Sequence, residues 1–291
     1  MSGVSSVKVT VLVDNTTHYE GPILAENGIS LFIEAKNKGL TTRVLLDTGL
    51  TGDVLIKNCE ELKINLDQVD AIVISHNHYD HTGGLLKVLA EIEKPVPVII
   101  HPDVFKPKYA ILPSLGINKL TYTGPPYVRS EVEDEGGLLV PSRDPVPIGE
   151  NIMTTGEIAR KTSFEKPEGF YIIEEGKFKR DNLLDDQALL VDTERGVIVF
   201  TGCGHSGIIN TIKHAMKIMN AEKVYAVIGG FHLIDASEEK IDETVSELKE
   251  VSPEIIAPMH CTGFKAKKKI SDILPSAFKE LYCGDRLEIT C

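Results

Sequence analysis

The sequence predicts a layered α/β (α+β) fold. Short apolar runs of strand length recur along its 291 residues, and amphipathic stretches of helical period separate them. Strand after strand also ends in a polar or glycine-rich turn, which is where ligand sites of layered α/β folds form. Apolar residues at 42% and charged residues at 25% fit an ordinary globular chain and argue against disorder, collagen-like repeats and coiled coil. The length suits one domain over residues 1–291.

Val7, Val9, Val11 and Val13 alternate with Lys8, Thr10 and Leu12, a strand with one more polar face. Leu31–Ile33 and Val44–Leu46 read as two further strands, the second running into Asp47-Thr48-Gly49. Val69–Ser75 is almost continuously apolar, as expected of a strand covered on both faces, and leads into His76. Val96–Ile100 leads into His101. Later, Val197–Phe200 leads into Thr201-Gly202-Cys203-Gly204-His205, Val224–Ile228 into Gly229-Gly230-Phe231-His232, and Ile255–Ala257 into Pro258-Met259-His260. Helices are expected over Gly84–Lys94, over a stretch after Ser206 as N-cap, and over Asp235–Val251 with an acidic first turn. Their Ile, Leu and Met stripes read as core.

Nine of the 15 prolines lie between Pro102 and Pro167, beside the acidic run Glu131–Glu135. Proline excludes helix interiors and central strands. Residues 102–167 are therefore expected to form an irregular cap inserted over the site, anchored by Tyr109, Ile111, Leu112, Leu115, Tyr122 and Tyr127, with a hairpin at Phe170–Phe178.

With 31 basic and 43 acidic residues the net charge is −12. That opposes sequence-independent nucleic-acid binding and anionic lipid. No apolar run reaches the ~20 residues of a membrane span, and Met1–Asn15 alternates rather than forming a signal peptide. The five cysteines include no CxxC pair, so the expected setting is reducing and cytoplasmic.

One segment outweighs the rest. His76-Asn77-His78-Tyr79-Asp80-His81 gathers four potential metal ligands just past a buried strand. On a loop, His76 and His78 can face one ion while Asp80 and His81 face a neighbouring position. Imidazole and carboxylate suit zinc, iron or manganese.

The pattern HxHxDH after a strand resembles the metallo-β-lactamase superfamily. Asp47 in LLDTG and the strand-end histidines His205 and His260 extend the resemblance. It implies a four-layer αββα sandwich in which two mixed sheets face each other with helices outside. It further implies two divalent ions, zinc foremost, with iron, manganese or magnesium as alternatives. His76, His78 and His205 would hold one ion, and Asp80, His81 and His260 the second, with Asp47 orienting the histidines by hydrogen bonding. Many members carry a bridging aspartate in a TGD turn. Here the turn reads Thr201-Gly202-Cys203, so Cys203 either bridges as thiolate or stands beside a bridging water. His101 is the alternative to His205, which is preferred because its glycine-flanked loop allows close approach.

TGCGHSG, GGFHL and PMHCTG together resemble the subgroup that includes archaeal 7,8-dihydropterin-6-methyl-4-(β-D-ribofuranosyl)aminobenzene-5′-phosphate synthase. The leading expectation is a metal-dependent hydrolase that activates water against a small phosphorylated or nucleotide-like molecule. The first alternative is a dihydropterin-type transferase that joins an aminobenzene ribosyl phosphate to a pterin diphosphate and releases pyrophosphate. The second is a non-enzymatic nucleotide-binding or sensing protein. Asp80 and His232 are the catalytic candidates, His232 as a proton donor or acceptor. Thr262, Gly263 and Arg160 are weaker phosphate candidates. Lys265 and Lys267–Lys269 read as a solvated helix face, and Cys261 as a buried neighbour of His260.

Overall fold

A computed structural model describes residues 3–291; the first two residues of the Met1–Asn15 stretch lie outside the described residues. Two large sheets dominate. One has seven strands in the spatial order Arg286–Thr290, Ser6–Val13, Ser30–Asn37, Leu40–Leu46, Ala71–Val73, Val96–Ile100 and Gly137–Pro141. The other has six, in the order Ile255–Met259, Val224–Gly230, Gly196–Thr201, Ala188–Thr193, Ile152–Thr154 and Pro147–Gly149. Both are mixed. The strands from Leu40–Leu46 to Gly137–Pro141 run parallel, as do those from Gly196–Thr201 to Ile255–Met259.

Period-two alternation decides which side chain enters which layer. Leu31, Ile33, Leu46 and Val73 of the first sheet meet Leu189, Val191, Ile198 and Phe200 of the second in the central core. Their neighbours Phe32, Leu45 and Ile72 turn outward onto the helices Asp53–Leu62 and Leu85–Glu91. Val197 and Val199 likewise turn outward onto the helices Ile208–Ile218, Glu238–Val251 and Phe264–Ile273. The result is the four-layer αββα arrangement.

Two local expectations are corrected. The register of the first strand shifts between Val11 and Val13, so Val13 packs with the helix-side cluster rather than with Val7, Val9 and Val11. A bulge of this kind reverses the face presented by the residues beyond it. Ser206 does not cap the helix after it. That helix starts at Ile208, and the distant Glu165 carboxylate accepts from the backbone N–H groups of Ile209 and Asn210 at 2.8 Å each. By contrast Ser237 caps Glu238–Val251 through the Lys240 N–H.

The proline-rich stretch is only partly irregular. Gly137–Pro141 joins the first sheet, and Pro147–Gly149 and Ile152–Thr154 join the second. Lys108–Leu112 and Ile117–Tyr122 instead pair with each other, and Lys108–Leu112 also pairs with Phe170–Glu174 of the hairpin Phe170–Glu174 and Lys177–Arg180, in a separate four-stranded sheet. Ala110, Leu112, Phe170 and Leu183 give this outer sheet its own small apolar cluster. Lys108, 2% exposed, is buried against Asp181 and Asp185.

Among the described residues no helix is long and apolar enough to cross a membrane. Phe200 is fully buried in the central core. Phe200→Ala should therefore cost about 3–5 kcal/mol of stability, read as a lower urea midpoint at unchanged slope.

Candidate metal centre

The ends of the central strands converge on one cluster of buried imidazoles. The chain leaves Ala71–Val73, passes Ser75 and His76, and folds into a helical turn at Tyr79–Thr82. Gly83 and Gly84 come next. A Cβ on Gly84 would lie 2.2 Å from the Thr48 carbonyl oxygen, so only glycine lets this loop seat against the Asp47 turn. His76 and His81 are fully buried, and His78, His205 and His260 nearly so.

The nitrogens are aimed by their partners. The Asp47 carboxylate accepts from Ser75 N at 2.7 Å and Ser75 Oγ at 2.6 Å, and lies 2.7 Å from His81 Nδ1. Ser75 Oγ lies 3.0 Å from His76 Nδ1. His260 Nδ1 lies 2.6 Å from Asn15 Oδ1, while its backbone N–H donates to Asp14. Each contact engages Nδ1 and leaves Nε2 facing inward. His76 Nε2 lies 3.0 Å from His78 Nδ1, and His205 Nε2 lies 3.2 Å from the same atom. Donors ~2.0–2.1 Å from a tetrahedral cation stand about 3.3 Å apart, so this trio matches a single ion.

A second set adjoins it. His260 Nε2 is 3.4 Å and His81 Nε2 3.9 Å from Asp80 Oδ2, and His81 Nε2 is 3.1 Å from Cys203 Sγ. His76, His78 and His205 form one group able to hold a cation; Asp80, His81 and His260 form another, and His76, His81 and Cys203 span the two. The fit has an independent sign. The buried His260 Nε2 has no hydrogen-bond partner in the protein, which a bound cation would supply.

Electrostatics separates the two sets. Burial, reinforced by His81 and His78, pushes His76 well below the ordinary histidine range, and burial with His232 does the same to His205. Burial also lowers His78 to about 3, although Asp80 opposes it. These three are neutral lone-pair donors. At His260 burial opposes the charge, but Cys261 and Asp80 outweigh it and raise the imidazole to about 9. The Asp80 carboxylate, 3.4 Å from His260 Nε2, is one source of that shift. Asp47, His232 and His260 all adopt positive φ, at 59°, 43° and 44°. Such backbone strain is held in place by dense surrounding contacts.

The cluster opens into a cavity of about 430 Å³. His78, Asp80, Cys203, His205, His232 and His260 line one side. The outer sheet supplies an apolar wall, and Phe170 stacks on His78 at 5.2 Å between ring centroids. The His232 ring lies 4.0 Å from that of His205.

The comparisons with known proteins agree with this geometry. The profile of the metallo-beta-lactamase superfamily matches residues 30–151. Over 285 residues, covering 97% of this chain and 96% of its relative, the sequence is 38% identical to a 7,8-dihydropterin-6-methyl-4-(beta-D-ribofuranosyl)-aminobenzene-5'-phosphate synthase of Methanocaldococcus jannaschii. The chain belongs to the metallo-β-lactamase superfamily. It is an enzyme of that fold. An uncharacterised protein of the same archaeon is 34% identical over 91% of this chain and 94% of its own length. A solved superfamily member, Tm1679, described as a metal-dependent hydrolase, superposes with a TM-score of 0.81 at 29% identity, covering 98% of this chain and all of that one.

Several expected residues lie elsewhere. His101 is outside the cluster, held by Glu157 and Arg143. Thr262 is fully buried, donating to the Met259 carbonyl and accepting from Phe231 N, so its hydroxyl is spent on the turn. Gly263 packs behind Ile234, which lines the cavity, and does not itself line it. Arg160 donates to the Leu183 carbonyl and Ser206 Oγ and lines a different hollow. Conversely Asn15, Ser75 and Phe170 do not stand out in the sequence. Asn15 carries one weak signal, a polar residue directly after Asp14 at the end of an apolar strand.

Asn15→Ala should weaken cation binding about 10–100-fold by freeing the His260 ring, as competition with a chromophoric chelator would measure. Unchanged affinity would remove Asn15 from the site.

Proposed function

We propose that the reaction is a dihydropterin-type transfer on small phosphorylated substrates: an aminobenzene ribosyl phosphate is joined to a pterin methyl diphosphate, and pyrophosphate leaves. The observation that carries this reading is the apolar share of the cavity lining beside the histidines. Ala110, Leu112, Leu115, Ile117, Phe170 and Ile234 line the cavity together with the histidines, and the Phe170 ring packs directly on that of His78. A flat heterocycle sheds water favourably against such a surface. A wall that excludes water also suits a nucleophile other than water. Full-length similarity to a synthase supports the same choice.

His76, His78 and His205 would hold one divalent cation and Asp80, His81 and His260 another, with Cys203 between them. When bound, the cations would supply Lewis acidity to the departing diphosphate. Among the described residues no lysine or arginine lines the cavity, so the chain offers the diphosphate no other fixed positive charge there apart from imidazolium. The bond from the pterin methylene carbon to the diphosphate oxygen breaks with its electrons on oxygen. The new bond forms from a carbon or nitrogen of the aminobenzene, which surrenders one proton. His232 borders the cavity and belongs to neither histidine set, so its imidazole would accept that proton. Phe170 would order the heterocycle.

A hydrolase is the second reading. Asn15, Asn27, Tyr79 and Thr123 form a polar side through which water can reach the cations. The solved relative at 29% identity is described as a metal-dependent hydrolase.

Product analysis with the two substrates separates the readings. Transfer predicts pyrophosphate only when both substrates are present, and no ¹⁸O from labelled water in the pterin product. Pyrophosphate released from the diphosphate substrate alone, with ¹⁸O incorporated, would establish hydrolysis. Phe170→Ala should raise KM for the pterin substrate about tenfold, the equivalent of one lost aromatic contact.

A further inference from the structure

We infer that Cys261 is a second sulfur donor of the centre, so that Cys203 and Cys261 join His260 around the cation that His260 would hold and make that position one for a thiophilic divalent cation of the zinc or iron(II) class. The inference rests on the metal-centre reading above and goes beyond it, because neither the sequence pattern nor the geometry of the two histidine sets requires Cys261.

Three observations carry it. The ligand atoms of Cys203, His260 and Cys261 lie within 4.8 Å of one another. Both thiols border the cavity, although Cys203 is only 3% and Cys261 8% exposed. The backbone is also shaped to put them there. Consecutive residues of an extended strand point to opposite sides. Here His260 takes a left-handed φ of 44° just beyond the strand Ile255–Met259, and both His260 and Cys261 reach the same cavity. The Cys261 carbonyl accepts from the N–H groups of Leu233 at 3.2 Å and Ile234 at 3.1 Å, which fixes that turn.

The room for the thiol is made by an absent side chain. A Cβ on Gly230 would lie 2.8 Å from Cys261 Sγ and 3.1 Å from Cys203 Cα. Cys261 Sγ donates to the Cys203 carbonyl at 3.4 Å, a long contact that a cation would replace. Both sulfurs would bind as thiolates, and any proton still on them would pass to solvent on binding. Two sulfurs beside imidazole favour zinc or iron(II) over magnesium or manganese.

The test uses the whole chain, stripped of metal under reducing conditions and titrated with cobalt(II). Thiolate ligation gives a sulfur-to-cobalt charge-transfer band in the near ultraviolet, separate from the visible ligand-field bands that report binding itself. The wild type should show both. Cys261→Ser and Cys203→Ser should each lose about half of the charge-transfer intensity, and the double variant all of it. A full band in Cys261→Ser would overturn the inference. Cobalt bound without a charge-transfer band would also overturn it while leaving the histidine centre standing. Failure to bind any cobalt would overturn both. Should the variants not fold, wild-type alkylation read by mass spectrometry decides. Zinc should protect Cys203 and Cys261 together and leave the half-buried Cys291 reactive; a Cys261 as reactive with zinc as without it would exclude it.

Discussion

The centre depends on one buried carboxylate. Asp47 ends the strand Leu40–Leu46, is fully buried, and accepts from the backbone and hydroxyl of Ser75 at the end of the neighbouring parallel strand. The same group holds His81 Nδ1. Three hydrogen bonds to one carboxylate fix the spacing of two strand ends and the orientation of the loop between them. A buried charge without such partners would be costly, and with them it becomes a rigid anchor. The positive φ of Asp47 belongs to this arrangement, because it turns the side chain back under the loop it supports.

Around that anchor, polar groups are buried only where another group requires them. Lys108 reaches from the outer sheet to Asp181 and Asp185, and Asp185 in turn accepts the N–H of Asn77 between His76 and His78. Asp186 accepts from Ser206 N, and Glu165 satisfies the first turn of the next helix, so the loop carrying His205 is braced from both sides. Burial raises Glu165 above the ordinary carboxylate range, and its backbone donors partly offset this. The imidazoles are thus presented by a stiff frame rather than by flexible loops, as a cation of fixed geometry needs.

Much of this was legible in the sequence because period and punctuation are local. Alternating valines, the buried run before His76 and the glycine turn at Gly202 and Gly204 gave the strands and their order along the chain, although Gly229 and Gly230, expected as a turn, end the strand Val224–Gly230 instead. The ligand-type residues stood out because His76, His78, Asp80 and His81 are crowded into one turn. What escaped was non-local. Asn15 meets His260, and Glu165 caps a helix more than forty residues away; neither carries a pattern near itself. The bulge at Val11–Val13 is a matter of register with the next strand. Prolines at 107, 113, 125 and 126 suggested irregularity, yet they flank the outer strands rather than interrupt them. Gly263 and Thr262 looked ligand-like by type, but their atoms are committed to the turn that shapes His260 and Cys261.

The separate four-stranded sheet has a wider consequence. It contributes Ala110, Leu112, Ile117 and Phe170 to the cavity but none of the clustered imidazoles, thiols or carboxylates. Reactivity and taste are therefore written on different pieces of the chain. Drift in the outer strands can retune which molecule is welcomed while the machinery beneath stays untouched, so a lineage built on this plan can diversify its chemistry's clientele without rebuilding its engine.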